Sequence, residues 1–304
     1  MPLEHVEIGD VVVERHQAGR PHQGKVLAAI QAHADDIPFY CGGTVAKLID
    51  EGYTAYLIQT TNDEKCGPTH SIGETILSNE REVDELARVM GFRQVFNLGY
   101  RNHLQDEVSV TEMRARFIYL IRALKIDTVL TFNPWGVNEE NPDHYVTGRA
   151  VEAACWMAGA DKDYPEQVAC GLEPHGVREK YYWVVRPGQP CNLVVDVSPY
   201  VETMVAAMST NKSQGPAGSQ GSRLREHLAA QGKRLPALDG SDEEADRAYI
   251  RLFGLQAYRE VGQRYGAEYG ERFYYVGQWG PFEQFVTGAD IERYVEDHAV
   301  PLRR

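Results

Sequence analysis

The feature that most constrains how this 304-residue chain can fold is the stretch Lys25-Val26-Leu27-Ala28-Ala29-Ile30-Gln31-Ala32-His33-Ala34-Asp35-Asp36. An apolar run of strand length stops abruptly at one imidazole and two adjacent carboxylates. A parallel strand covered by helices on both faces reads as such a continuous apolar run. Its carboxyl end is where open α/β sheets place ligands. Titratable groups gathered there are costly to bury unless something binds them. A metal ion with its catalytic water meets that need.

The following residues repeat the strand-then-helix pattern. Gly42-Gly43-Thr44 leads into helical spacing through Val45, Leu48 and Ile49, with Gly52 as a C-cap. Strands are predicted at Tyr53 to Thr60, Gln94 to Leu98 and Thr128 to Phe132. Helices are predicted at Ser71 to Met90, Thr111 to Leu124 and Val146 to Met157. The Ser71 helix should bury Ile76, Leu77, Val83, Leu86, Ala87 and Met90. This alternation calls for an α/β fold with a doubly wound, mostly parallel, Rossmann-like sheet and helices on both faces. Tyr181 to Val185 and Leu193 to Val197 extend the sheet. Beyond Tyr200 the pattern turns helical (Val201 to Met208, Leu224 to Ala230, Glu243 to Tyr265), with a Gly/Ser-rich hinge at 215–222. The expected organisation is an N-terminal arm over 1–24, an α/β domain over 25–276 with a helical C-terminal extension from about residue 200, and a tail over 277–304.

A net charge of −13 excludes nucleic acid, which needs clustered Lys and Arg, and suits a small neutral or cationic substrate. No apolar run reaches the roughly 18 residues of a membrane span. The acidic amino terminus lacks a signal-peptide pattern. Five widely spaced cysteines without a CxxC pair point to reduced thiols and a cytoplasmic location.

His33 and Asp36, three residues apart in a tight turn, can face one ion, and zinc accepts nitrogen and oxygen donors while keeping a position for water. His144 follows the fourth strand of the alternation and supplies the second imidazole. Asp35, turned the other way, is then free to take a proton. Each piece has a blander reading. Asp35-Asp36 suits a helix N-cap, a histidine at a helix start is commonly a surface group, and Gly42-Gly43 lacks the spacing of a phosphate loop. The joint placement at strand ends favours the metal. His5, His16, His22, His70, His175, His227 and His298 have no supporting context and read as surface residues.

Ala32-His33-Ala34-Asp35-Asp36, Cys41-Gly42-Gly43-Thr44 and Pro142-Asp143-His144 together resemble the AHPDD…GGT…HPDH pattern of the LmbE-like/PIG-L deacetylases. That family uses zinc to hydrolyse N-acetyl groups of glucosamine-containing compounds. The resemblance covers roughly residues 25 to 275, includes Tyr100-Arg101, Asn133-Pro134-Trp135 and Lys212-Ser213-Gln214, and is nearest the diacetylchitobiose deacetylase-like subgroup. It implies one zinc per chain on His33, Asp36 and His144, with Asp35 as general base and Asp143 among the catalytic residues. Ala34 stands in place of a proline, and Asn141 and Asn211 stand where the family has histidines that polarise the carbonyl or protonate the leaving amine. An asparagine can donate a hydrogen bond to an oxyanion, worth about 10²–10³ in rate, but cannot transfer a proton. His103, after the third strand of the alternation, is the candidate for that transfer, against a plain solvent-facing loop residue. Arg101, Trp135 and Asn211 are candidate contacts to a sugar-like substrate.

The expected activity is therefore hydrolysis of an N-acetyl or other N-acyl group from an amino sugar or related polyhydroxy compound. A zinc-dependent hydratase or lyase on the same scaffold, and a non-enzymatic sugar-binding relative, are the alternatives. A nucleotide-binding module is disfavoured by the missing glycine fingerprint. Assembly into homo-oligomers is left open by the sequence.

Overall fold

The computed structural model describes residues 6–67, 71–214, 218–277 and 288–301. In chain order, β1 (Val6–Glu14) and β2 (Val26–Gln31) precede a short α1 (Asp36–Tyr40) and α2 (Gly42–Asp50). Then come β3 (Thr54–Thr61), α3 (Ile72–Met90), β4 (Gln94–Tyr100), α4 (Val110–Leu124), β5 (Thr128–Phe132) and α5 (Pro142–Met157). A short α6 (Pro165–Ala169), β6 (Glu179–Trp183), β7 (Pro190–Asp196), α7 (Val201–Thr210), α8 (Gln220–Ala230) and α9 (Asp242–Tyr249) follow. The chain closes with α10 (Gln256–Arg264), β8 (Gly270–Val276) and α11 (Gly288–His298).

The strands form one sheet in the order β1-β7-β8-β6-β5-β2-β3-β4. All neighbours are parallel except β8, which runs antiparallel to both β6 and β7. The mostly parallel sheet covered by helices is the expected α/β architecture. β2 shows why. Leu27 and Ala29 join one core layer with Val45 and Leu48 of α2 and Met204 and Met208 of α7. Ala28 and Ile30 join the opposite layer with Phe117 and Ile121 of α4 and Val151 and Ala154 of α5. Alternate side chains of a strand face opposite ways, so a strand between two helix layers must be apolar at every position.

Several boundaries differ from the sequence reading. Within the N-terminal segment, where the sequence suits a short strand or an arm followed by a loop, Val6–Glu14 form an edge strand on β7. Helix α5 begins at Pro142, four residues before the expected Val146, because Asn141 caps it and Pro142 sits at its first position. In α3, Leu77 is exposed, whereas Thr75 and Asn79 are buried. The Asn79 amide donates to the carbonyls of Asp63, Cys66 and Thr75, anchoring the loop after β3. The single helix expected over 243–265 is broken by a π-helical turn at Ile250–Gly254, with Leu255 N–H donating to Ile250 C=O at 3.0 Å. Of the Gly/Ser-rich hinge, 215–217 lie outside the described residues and Gln220–Ser222 form the first turn of α8. β8 and α11 were not expected at all. Of the histidines read as surface groups, His22 and His175 are only partly exposed, and His5 and His70 lie outside the described residues. Among the described residues, no helix is long and apolar enough to cross a membrane.

Two adjacent glycines test the packing of α2. A Cβ on Gly43 would lie 2.5 Å from Val197 Cβ and 2.9 Å from Met204 Sδ, whereas one on Gly42 would meet only Ile37 O at 3.5 Å. Gly43→Ala is expected to lower the unfolding free energy by about 1–3 kcal/mol through overpacking. Gly42→Ala should be neutral or stabilising by up to about 1 kcal/mol. Urea denaturation of the two variants distinguishes them.

Candidate metal centre

β2 lies between β3 and β5. The chain leaves β2 toward one side of the sheet, through β3 and β4, and returns to β5 on the other side. The loops leaving β2 and β5 therefore part, opening a crevice at their carboxyl ends. His33, Asp35 and Asp36 lie in the loop after β2, and His144 lies in the first turn of α5 after β5.

The β2 loop is folded by its own carboxylates. Asp36 Oδ2 accepts from the backbone N–H groups of Ala32 at 3.0 Å and His33 at 2.7 Å, and Ala34 N–H donates to Asp63 Oδ2 at 2.8 Å. Asp35 occupies the N-cap position of α1, yet its side chain makes no capping bond. The capping explanation for the Asp35-Asp36 pair is thus removed.

Three donors converge. His33 Nδ1 lies 3.0 Å from His144 Nε2, Asp36 Oδ1 3.4 Å from His144 Nε2, and Asp36 Oδ2 3.7 Å from His33 Nδ1. All three residues are buried. Each imidazole presents its remaining nitrogen to a carboxylate. His33 Nε2 lies 3.0 Å from Asp143 Oδ2. His144 Nδ1 lies 3.2 Å from Glu139 Oε1, off the line of an aligned hydrogen bond. Carboxylates behind the ligating histidines are the usual means of fixing ring orientation and raising ligand basicity at metal sites. His144 also stacks on Phe132 with ring centroids 4.2 Å apart. Two nitrogens and a carboxylate oxygen are a donor set that zinc accepts. His33, His103 and Asp143 form a second cluster of donor groups. There His33 Nε2 and Asp143 are already bound to each other, so the cluster containing Asp36 is the better ligand set.

The charges around the cluster fit a cation. Burial, and then the neighbouring Asp36, push the Asp35 carboxyl up to about 7. Burial likewise raises Asp63 to about 6, against the pull of His33. Burial alone would lower His33, but the bond to Asp143 and the charges of Asp36 and Asp63 lift it to about 9. Burial would raise Glu139, yet His144 and Arg186 hold it down to about 2. Crowded carboxylates disfavour their own ionisation, and a divalent cation removes that penalty.

The remaining candidates fall in several places. Asp143 has no exposed surface and accepts from His33, Asn102 Nδ2, His103 N–H and Gln105 N–H, so it positions His33 rather than facing substrate. Asn141 is partly committed, its Oδ1 capping α5 by accepting from Asp143 N–H at 3.0 Å. His103, exposed and held at φ +59°, sets its ring edge-on to His33 at 5.9 Å on the rim. Arg101, on the same loop, is paired with Glu64 at 2.8 Å. Trp135 is half exposed against the edges of Tyr182 and Tyr274. Asn211 is buried with neither amide atom hydrogen-bonded. Its neighbours Ser213 and Gln214 bond to Glu82 and Asn79 of α3. The sequence reading passed over Asp63 and Glu139. Asp63, at the end of β3, carried the same positional signal as Asp35, whereas Glu139 looked like an ordinary loop acid. Asp35 also borders a cavity of about 340 Å³ that runs away from the ligands between α1, β6, α10 and β8.

The profile of the GlcNAc-PI de-N-acetylase (PIG-L) family matches residues 28–155. The diacetylchitobiose deacetylase of Thermococcus kodakarensis is 30% identical over 198 residues, which is 63% of this chain and 71% of that protein. The solved N,N'-diacetylchitobiose deacetylase of Pyrococcus horikoshii has a TM-score of 0.66 at 21% identity, covering 86% of this chain and 89% of that one. The 4-carboxy-2-hydroxymuconate hydratase of Pseudomonas putida has a TM-score of 0.58 at 16% identity, covering 86% of this chain and 100% of that one. At these identities the two solved structures establish the fold alone.

Asp143→Asn keeps the shape behind His33 and removes the charge. Its zinc affinity, measured by chelator competition, is expected to fall 10- to 100-fold. An unchanged affinity would show that Asp143 does not orient the ligand.

Proposed function

The chain belongs to the PIG-L family of LmbE-like deacetylases, and we propose that it is a metal-dependent hydrolase removing an N-acetyl or other N-acyl group from an amino sugar or related polyhydroxy compound. The observation that carries this reading is the convergence of His33 Nδ1, His144 Nε2 and Asp36, with the carboxyl of Asp35, which makes no capping bond, beside Asp36 and on the lining of a cavity. Zinc held by these three side chains would supply a Lewis acid for the carbonyl and acidify a water toward neutrality.

The chain's own groups carry the proton traffic. Asp35, adjacent to Asp36 and making no capping bond to α1, is the carboxylate assigned to accept a proton from water and return it to a leaving nitrogen. His103, on the rim beside His33, is the second group able to deliver that proton. Asp143 and Glu139 hold the two imidazoles with their ligating nitrogens inward. The Asn141 amide nitrogen, which takes no part in the capping bond, is assigned to donate toward a developing oxyanion. Arg101, Trp135 and Asn211 are assigned to substrate contact from their positions in the rim loops and in the segment after α7. The free cysteines fit a reducing cytoplasm.

Asparagine at 141 and 211, where no proton can be transferred, favours one rival: addition of water to a carbon–carbon double bond, which frees no amine. Amine and carboxylate release from N-acylated sugars by the zinc-loaded protein separates the two. The Asp35→Asn variant should retain one zinc per chain by elemental analysis while kcat drops by about 10²–10⁴. Full activity in that variant would refute the assignment of Asp35.

A further inference from the structure

The cavity beside Asp35 is far larger than an acetyl group requires. Its volume is about 340 Å³. A water occupies about 30 Å³ in the liquid, so there is room for roughly ten non-hydrogen atoms, against the single methyl of an acetamide. The walls are mostly apolar: Phe39 and Tyr40 of α1, Val184 and Val185 at the end of β6, and Tyr258 and Val261 of α10. Of the polar groups on the lining, Glu271 has both oxygens occupied by Gly43 N–H, Thr44 N–H and Thr44 Oγ1. Asp35, Tyr40 and Arg272 also line the space, but a polyhydroxy ring needs a hydrogen-bond partner for each hydroxyl it brings out of water, and Phe39, Val184, Val185, Ala257 and Val261 offer none. Small-molecule pockets of this size, apolar with a few placed polar groups, bind apolar moieties.

The helical side of the cavity is shaped by an uncommon device. Gly254, the last residue of the π-helical turn, lines the space together with Ala257 and Tyr258 of α10. π-turns inside helices are rare and frequently occur at functional sites. The break redirects the chain between α9 and α10 and brings α10 onto β8, where Tyr258 Oη donates to Phe39 O and ties α10 to α1. The cavity is thus built by the end of β6, the π-turn, α10 and the start of β8 against α1 and the residue before it, Asp35.

From this we infer that the substrate carries an apolar chain or ring of about five to eight carbons that lies in this groove, an inference that rests on the hydrolase reading above. Two parts of an N-acyl amino sugar could supply that group: the acyl chain itself or an alkyl or aryl aglycone. Because Asp35 lines the groove and is adjacent in the chain to Asp36, either group lying there would leave the scissile amide on the side of the converging donors.

Two substrate series given to the zinc-loaded protein decide between them. One is glucosamine N-acylated with acetyl, butyryl, hexanoyl or octanoyl. The other is N-acetylglucosamine carried as methyl, butyl or hexyl glycosides. In the series that uses the groove, kcat/KM should rise about three- to fourfold per methylene, the ratio that corresponds to burying one CH₂. It should stay within about twofold across the other series. Ala257→Trp, on the exposed side of α10, fills the groove and should flatten the rising series; a slope unchanged in a variant with wild-type circular dichroism overturns the location. Calorimetric binding of the same compounds to the zinc-loaded Asp35→Asn variant gives a readout without turnover. If amines are released but both series are flat, the groove is refuted and the hydrolase reading stands. If affinity climbs with chain length while wild type releases no amine, the groove is supported and the hydrolase reading fails.

Discussion

The carboxylate of Asp143 is the point through which the site's geometry is held together. It has no contact with water, and its oxygens accept from the His33 ring, the Asn102 amide and the backbone N–H groups of His103 and Gln105. A buried charge is tolerable only when its lone pairs are taken up in this way. The loops after β2 and β4 and the start of α5 are therefore tied to one another: displacing any of them strands a charge. His103 reaches the rim in a left-handed conformation, with its backbone N–H fixed on Asp143 at 2.6 Å. The candidate ligand His33 and the candidate proton carrier His103 thus share a single anchor.

The chemistry and the surrounding groove come from different parts of the chain. All three converging residues and Asp35 lie within the segment 28–155 matched by the family profile. Most of the cavity wall comes from the ends of β6 and β8 and from α10, beyond that segment. A scaffold arranged this way can keep one reaction while changing what it reacts with.

Much of the sheet was legible because its central strands obey a simple rule. Apolar runs such as Val26–Gln31 and Thr128–Phe132 are long enough for a strand and too short for most helices, and they end at polar loops. The Ser71 helix was legible from its apolar spacing, although Leu77 turned outward and Asn79 inward, since a polar side chain with three carbonyls to serve can displace a leucine from the core. β8 was missed because its Gly-Glu-Arg-Phe-Tyr-Tyr-Val carries charge at positions that become buried only once α2 and α10 pack over it. The site was half legible. Ligands announce themselves by standing at strand ends, but a supporting carboxylate such as Glu139 resembles any loop acid until the fold brings His144 and Arg186 beside it. Asn141 shows the converse: it caps a helix, and capping depends on a local geometry that a residue count does not reveal.

The edge strand β1 raises a matter of timing. Its parallel partner β7 lies in register through Val12 with Leu193, Val13 with Val194 and Glu14 with Val195, almost at the far end of the sheet-forming sequence. At about 5–20 residues per second, a ribosome needs roughly 10–35 s after making β1 before that partner exists. During the wait, three consecutive valines of a nascent chain have no sheet to join. Asp10 and Glu14, which bracket them, are the kind of charge that keeps an unpaired strand from finding the wrong neighbour. A strand made well before its partner is thus among the last that can settle, and the acids around it matter most during that interval.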